Sequence, residues 1–185
     1  MTKVHNTKKS AAGKEVKCGR CGAVIAKGER YYQWSFRYGG KHARCALHPP
    51  RPSELTQSKI SSVLSALENL QDVAAGLDNT DDFAEAKDAV RSAAEDMQNA
   101  IEEVKAEYEE AAEHFGGQGE NQERAEQMES AYDEMDDIIA SIESVEIEEP
   151  DDPDDDPEED QDARREEAFA NLSEAAARAD EVGLQ

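Results

Sequence analysis

The chain has 185 residues, with 20 Lys and Arg against 44 Asp and Glu, for a formal net charge of −24. No apolar run approaches the roughly 18 residues of a membrane span, and the three cysteines are an odd number set behind a polar N-terminus. A secreted disulfide framework and a spanning protein are therefore not expected, and a reducing cytoplasm is the predicted compartment (a host's cytoplasm if the chain is viral).

The total charge hides two opposed halves. Residues 1–60 carry 13 basic and 3 acidic side chains, net +10, whereas residues 61–185 carry 7 basic and 41 acidic, net −34. Such a split predicts separate partners for the two halves, or a basic module restrained by an acidic one. Solvated helices or a salt-adapted source account equally well for the acidic part.

Residues 1–15 are polar, basic and without periodicity, and are predicted to be a flexible arm. Residues 16–52 contain the densest chemical signal. Cys18-Gly-Arg-Cys21 is answered by Cys45-Ala-Leu-His48. Each pair leaves two residues between ligands, so the backbone folds under one ion, and two pairs complete a tetrahedron. One structural Zn2+ held by Cys18, Cys21, Cys45 and His48 is the predicted cofactor. His42-Ala-Arg-Cys45 has the same spacing, so the fourth ligand is either His42 or His48. Pro49-Pro50 suits the exit from a knuckle and favours His48. A redox dithiol at Cys18 and Cys21 would need a strand-to-helix turn in a βαβ pattern, which the sequence does not supply.

Strands are predicted near Glu15–Lys17, Tyr31–Tyr38 and Lys41–Cys45, with Gly39-Gly40 as the hairpin turn. Two knuckles on β-hairpins give a zinc-ribbon-like module, because Pro49 and Pro50 prevent a helix from starting on the second pair. Basic side chains (Lys14, Lys17, Arg20, Lys27, Arg30, Arg37, Lys41, Arg44 and Arg51) alternate with Tyr31, Tyr32, Trp34, Phe36 and Tyr38. Cations neutralise phosphates and exposed rings stack on unpaired bases. Arg20, Lys27, Arg30, Trp34, Arg37, Lys41 and Arg44 are the candidate nucleic-acid contacts. By strand alternation one set of rings must fill the small core and leave the other outside.

From residue 53 the apolar period becomes helical, with Ser53 or Thr56 as cap and Ile60, Val63, Leu67, Leu70, Ala74 and Leu77 on one stripe. Thr80 or Asp81 is expected to cap a second helix of about 35 residues, roughly 50 Å long. Its heptad positions are Phe83, Val90, Met97, Val104 and Ala111, and Ala94, Ile101, Tyr108 and Phe115. Gly116 to Gly119 end it. A third helix carries Ala125, Met128, Tyr132, Met135, Ile139 and Ile142. Residues 53–145 thus read as an acidic, antiparallel three-helix coiled coil. Residues 146–160 hold 11 acids and 3 prolines, predicting a disordered, self-repelling linker. Residues 161–185 form a last helix with Phe169, Leu172, Ala176 and Ala179 on one face, either free or docked. The expected fold class is mainly α, with a small β module in front.

KGERYYQWSFRYGGK (27–41) followed by RPSELTQSKISS (51–62) resembles uncharacterised small proteins of bacteriophages and their bacterial hosts, in which an aromatic, Arg-rich strand precedes acidic heptad helices. The likeness covers 18–147 and is most specific in 27–58. It implies a phage-related origin and no particular activity. The module is also distantly similar to the zinc fingers of poly(ADP-ribose) polymerases, which bind DNA ends through C-x-x-C and H-x-x-C pairs. Here that second pair exists only through His42.

Two kinds of function follow. One is a non-enzymatic adaptor whose residues 1–60 touch nucleic acid. The other is a protein–protein scaffold, in which the acidic helical hairpin is the scaffold and the ribbon or the C-terminal helix grips a host or viral partner, or the acidic half imitates nucleic acid. Heptad helices also permit homo-oligomers. An enzyme is not expected: four protein ligands close the metal site to water, and no Gly-rich phosphate loop, H-E-x-x-H or nucleophile motif is present.

Overall fold

The computed structural model describes residues 8–36, 39–77, 80, 82–114, 119–147 and 158–183, with backbone only for 8–11 and 158–160. The chain divides into two compact units, Met1–Ser61 and Ser62–Gln185. The protein is mainly helical, as its periodicity predicts, with a small β region ahead of long helices. No helix among the described residues is long and apolar enough to cross a membrane.

The first unit is built on β4 (Arg30–Ser35), the longest of its strands. It is flanked by β1 (Lys8–Ala11) and β5 (Lys41–Cys45) in an antiparallel sheet of order β1-β4-β5, while β2 (Val16–Lys17) and β3 (Val24–Ile25) make a separate hairpin. β1 falls within the segment expected to be a free arm. Lys8–Ala11 pairs antiparallel with Gln33 to Arg30, and such backbone pairing covers the open edge of β4 without needing a side-chain signal in the sequence. Residues 1–7 of the expected arm lie outside the described residues. Two backbone hydrogen bonds, Ala12 N to Glu29 O (2.9 Å) and Gly28 N to Ala12 O (2.8 Å), then clasp the β1–β2 turn to the β3–β4 turn.

Both faces of the sheet are covered. On one, Ala12, Cys18, Ile25 and Tyr31 are buried together, with Ala43 and Cys45 packed against them. On the other, Trp34 is only 3% exposed. A strap after the second knuckle, including a 3-10 turn at Pro52–Leu55, lies over it. The Trp34 indole N–H donates to the Glu54 carbonyl at 2.9 Å.

The second unit contains four helices: α1 (Ser61–Ala75), α2 (Phe83–His114), α3 (Glu120–Ser144) and α4 (Glu158–Ala177), the last extended by a 3-10 turn, Arg178–Glu181. The first starts after the predicted caps Ser53 and Thr56. Asp82, rather than Thr80, caps α2: its Oδ1 accepts from the backbone N–H groups of Ala84 (3.0 Å) and Glu85 (3.1 Å); the other predicted cap, Asp81, lies outside the described residues. At 32 residues α2 is about 48 Å long. Pairs from Lys87 with Glu143 O, through Gln98 with Asp136, to Lys105 with Glu129 run in opposite senses, so α2 and α3 are antiparallel. Lys87 Nζ also donates to Val145 O at 2.7 Å and so satisfies the last carbonyls of α3.

α4, the last helix that the sequence leaves either free or docked, is docked on the other helices. Ala168, Leu172, Ala175, Ala176, Ala179 and Val182 are buried. Phe169 meets Phe83 edge-on, with ring centroids 5.3 Å apart. Arg178 reaches the Ser141 hydroxyl at 2.9 Å, and Gln71 of α1 hydrogen-bonds Asp180. The apolar face of α4 is thus covered inside the chain. The buried stripe of α3 is Ala125, Met128, Ala131, Met135, Ile138 and Ile142. Tyr132 and Ile139, expected in the seam, are half-buried instead, each one position past a buried residue, because α3 packs on α4 as well as α2 and its buried face is turned accordingly. Phe115 and most of the acidic linker, residues 148–157, lie outside the described residues.

Candidate metal centre

Two tight turns bring the four predicted ligands together. In the first knuckle Gly22 N donates to Cys18 O and Cys18 N to Ala23 O, both at 2.9 Å. Gly22 adopts φ +71°, which favours glycine straight after Cys21. In the second, His48 N donates to Cys45 O at 3.0 Å. Gly19 N to Ala43 O (2.9 Å) ties the first knuckle to β5, which supplies Cys45. Gly19 leaves room here, since a Cβ at that position would fall 2.1 Å from Arg44 Nη1.

The three sulfurs and a ring nitrogen of His48 all lie within 4.8 Å of one another. His48 Nδ1 is 3.1 Å from Cys45 Sγ and 4.0 Å from Cys18 Sγ. Ligand atoms of a tetrahedral site with bonds of 2.0 to 2.3 Å stand about 3.4 to 3.8 Å apart, so this cluster needs only small adjustments to close on an ion. Cys18 is buried, Cys45 and His48 are half-buried, and Cys21 is exposed. Burial pushes the Cys18 thiol up, but backbone hydrogen bonds from Cys21, Cys45 and Arg20 outweigh it and bring it down to about 5. Cys21 is shifted upward: a backbone hydrogen bond at Ala23 pulls the other way, and the neighbouring Cys18 and Cys45 sulfurs prevail. One thiolate is thus in place at neutral pH beside a second sulfur that ionises more readily once a cation is present.

His42, the alternative fourth ligand, is elsewhere. It stands opposite Trp34 in the β4–β5 ladder and stacks on the indole, with centroids 5.3 Å apart and planes at 17°. Cβ directions alternate along a strand, so Cys45 and His42 leave β5 on opposite faces.

The candidate nucleic-acid residues do not form one surface. Trp34 is buried and hydrogen-bonded, so it has no free face for a base. Arg44 is turned inward: it pairs with Glu54, and its guanidinium carbon lies 5.6 Å from the Trp34 ring centroid. Covering by the 51–57 strap accounts for both corrections. Arg37 lies outside the described residues. Arg20 is exposed in the first knuckle. Lys41 stands opposite Ser35, about 17 Å along the sheet from Arg30 at 3.3 Å per residue. Lys14 and Lys27 stand on the two clasped turns, Arg30 opens β4 just after one of them and Lys17 lies in β2 just after the other; all four are exposed. The sequence names these lysines as basic neighbours of the knuckles, but only the clasp through Ala12 groups them with Lys27.

No protein-family model, curated protein or solved structure matches the chain. What the fold and site define is a small β module carrying a Cys3His cluster able to bind a metal, followed by an acidic four-helix unit.

Proposed function

We propose that the protein is a non-enzymatic zinc-binding adaptor whose basic module contacts nucleic acid. The convergence of Cys18, Cys21, Cys45 and His48 carries this reading. Three thiolates and an imidazole in tetrahedral array suit Zn2+ over harder or square-planar ions. With four protein ligands the ion keeps no position for activated water, so it acts as a staple. The buried set around Ala12, Cys18, Ile25 and Tyr31 is too small to hold the module alone, which gives that staple its purpose. The surface so displayed belongs to a half-chain of net +10. The likeness of residues 27–58 to phage and host proteins supports a phage-related origin.

The test has two parts. Purified protein should hold one zinc per chain, lost with Cys18→Ser, Cys45→Ser or His48→Ala and kept with His42→Ala. Zinc-loaded protein should bind nucleic acid with an affinity that falls steeply as salt rises. Affinity indifferent to salt would remove the phosphate contact from the reading.

A further inference from the structure

Resting on that reading, we infer that the ligand of the basic module is duplex nucleic acid, held by its phosphates at the corner where the β1–β2 and β3–β4 turns are clasped. The bonds from Ala12 N to Glu29 O and from Gly28 N to Ala12 O fix residues 12–15 against residues 26–29. Lys14 and Lys27 stand on these two turns, Arg30 opens β4 beside them, and Lys17 follows on the outward side of β2, all exposed. Two acids share the corner. One of them, Glu29, is turned back on its own loop, its carboxylate accepting from Ala26 N at 2.8 Å. The cations therefore predominate on a backbone framework that is hydrogen-bonded on both sides.

The choice of duplex follows from the rings. Residues 12–17 and 26–30 include no aromatic side chain. Tyr31 and Trp34 are buried, the half-buried Tyr32 lies farther along β4 than the turns, and the half-buried Phe36 meets His42 edge-on at 5.8 Å. Binding to unpaired strands gains much of its strength from bases stacking on exposed rings, and the corner supplies none. What it offers is an excess of exposed positive charge on two joined turns. A duplex presents one phosphate per roughly 1.7 Å of axis, a denser target than a single strand.

The experiment is a fluorescence-anisotropy titration of the full-length, zinc-loaded chain with a 20-base-pair duplex and with oligo(dT) of equal length, across a range of salt. The duplex should bind more tightly. The variant K14A/K17A/K27A/R30A should lose about tenfold or more in duplex affinity and about 3 to 4 units of salt slope. K14R/K17R/K27R should bind like the parent, separating charge from any structural role. Zinc content and circular dichroism establish that each variant is folded. Oligo(dT) binding as tightly as the duplex, with affinity lost in Tyr32→Ala or Phe36→Ala, overturns the duplex assignment while leaving nucleic-acid binding intact. An unchanged slope in the quadruple variant overturns the corner. Salt-dependent binding of neither probe removes the nucleic-acid reading itself.

Discussion

The two units reach order by different means. The helical unit buries Leu70, Met97, Ile101, Met128, Met135, Ile142 and Leu172 almost completely, and apolar burial of that extent holds helices together without a cofactor. The β module buries four residues in its metal-side cluster, one of which is the ligand Cys18. Its strands are short, and its two knuckles bring together sulfurs that repel once ionised. One unit is stabilised by area; on the proposed reading the other is stabilised by coordination, and the contrast sets out where each is vulnerable.

Removing the metal is the largest expected perturbation. Structural zinc contributes about 10 to 16 kcal/mol in small zinc modules at neutral pH, well beyond what the miniature core supplies. Chelation, or Cys18→Ser, should collapse the dispersed amide resonances of residues 12–50 while the helical dichroism stays nearly unchanged. A module that keeps its dispersion after chelation would show that its core suffices, and the contrast would fail. His48→Ala should act in the same direction, and His42→Ala should leave the metal in place. The pH dependence has a defined sign. Cys18 falls from an ordinary value of 9.0 to about 5, so between these limits the unfolded chain binds a proton that the folded chain does not. The stability of the metal-free module attributable to Cys18 is therefore complete above pH 9, declines through neutrality and is gone below about pH 5. Because the metal-free module is expected to be unfolded, the dependence is read as zinc affinity, which should rise from pH 5 to 9 as the ligands lose their protons.

Next in size is a cut in the helical core. Leu172 is fully buried in α4, and Leu172→Ala should cost about 2 to 5 kcal/mol. The helical melting transition should fall while zinc stoichiometry stays at its original value. An unchanged transition would mean that α4 is a passive passenger on α1 to α3. A drop in bound zinc would mean that the two units share their stability.

What could be read from the sequence follows the same divide. Heptad spacing identifies Val90, Met97, Ile101, Val104, Met128 and Met135 because a helix writes its partner face at fixed intervals. The same pattern misplaces Tyr132 and Ile139, since spacing along one helix does not say how many neighbours it has. Ligand spacing brings out Cys18, Cys21 and Cys45, and a proline pair inclines the choice to His48. β1 could not be read, because Lys8–Ala11 is held by backbone groups that every residue possesses. The burial of Trp34 was hidden for a related reason: its cover comes from Glu54, twenty residues onward, in a segment whose pattern reads as the start of the first helix.

That cover gives the smallest and most local prediction. Trp34→Phe keeps an aromatic ring against His42 and Arg44 but deletes the donor to the Glu54 carbonyl, a 2.9 Å bond. A single neutral hydrogen bond contributes about 1 kcal/mol net. The phenyl ring is smaller than the indole, which adds a packing loss of similar order. Zinc should remain bound, because the knuckles lie on the opposite face of the sheet from Trp34. The strap should loosen first, seen as faster amide exchange at residues 52–56 before any change at Cys18 or Cys45. Equal acceleration at the knuckles would mean that the two faces of β4 are one cooperative structure, with the strap as much a part of the metal site as the ligands are.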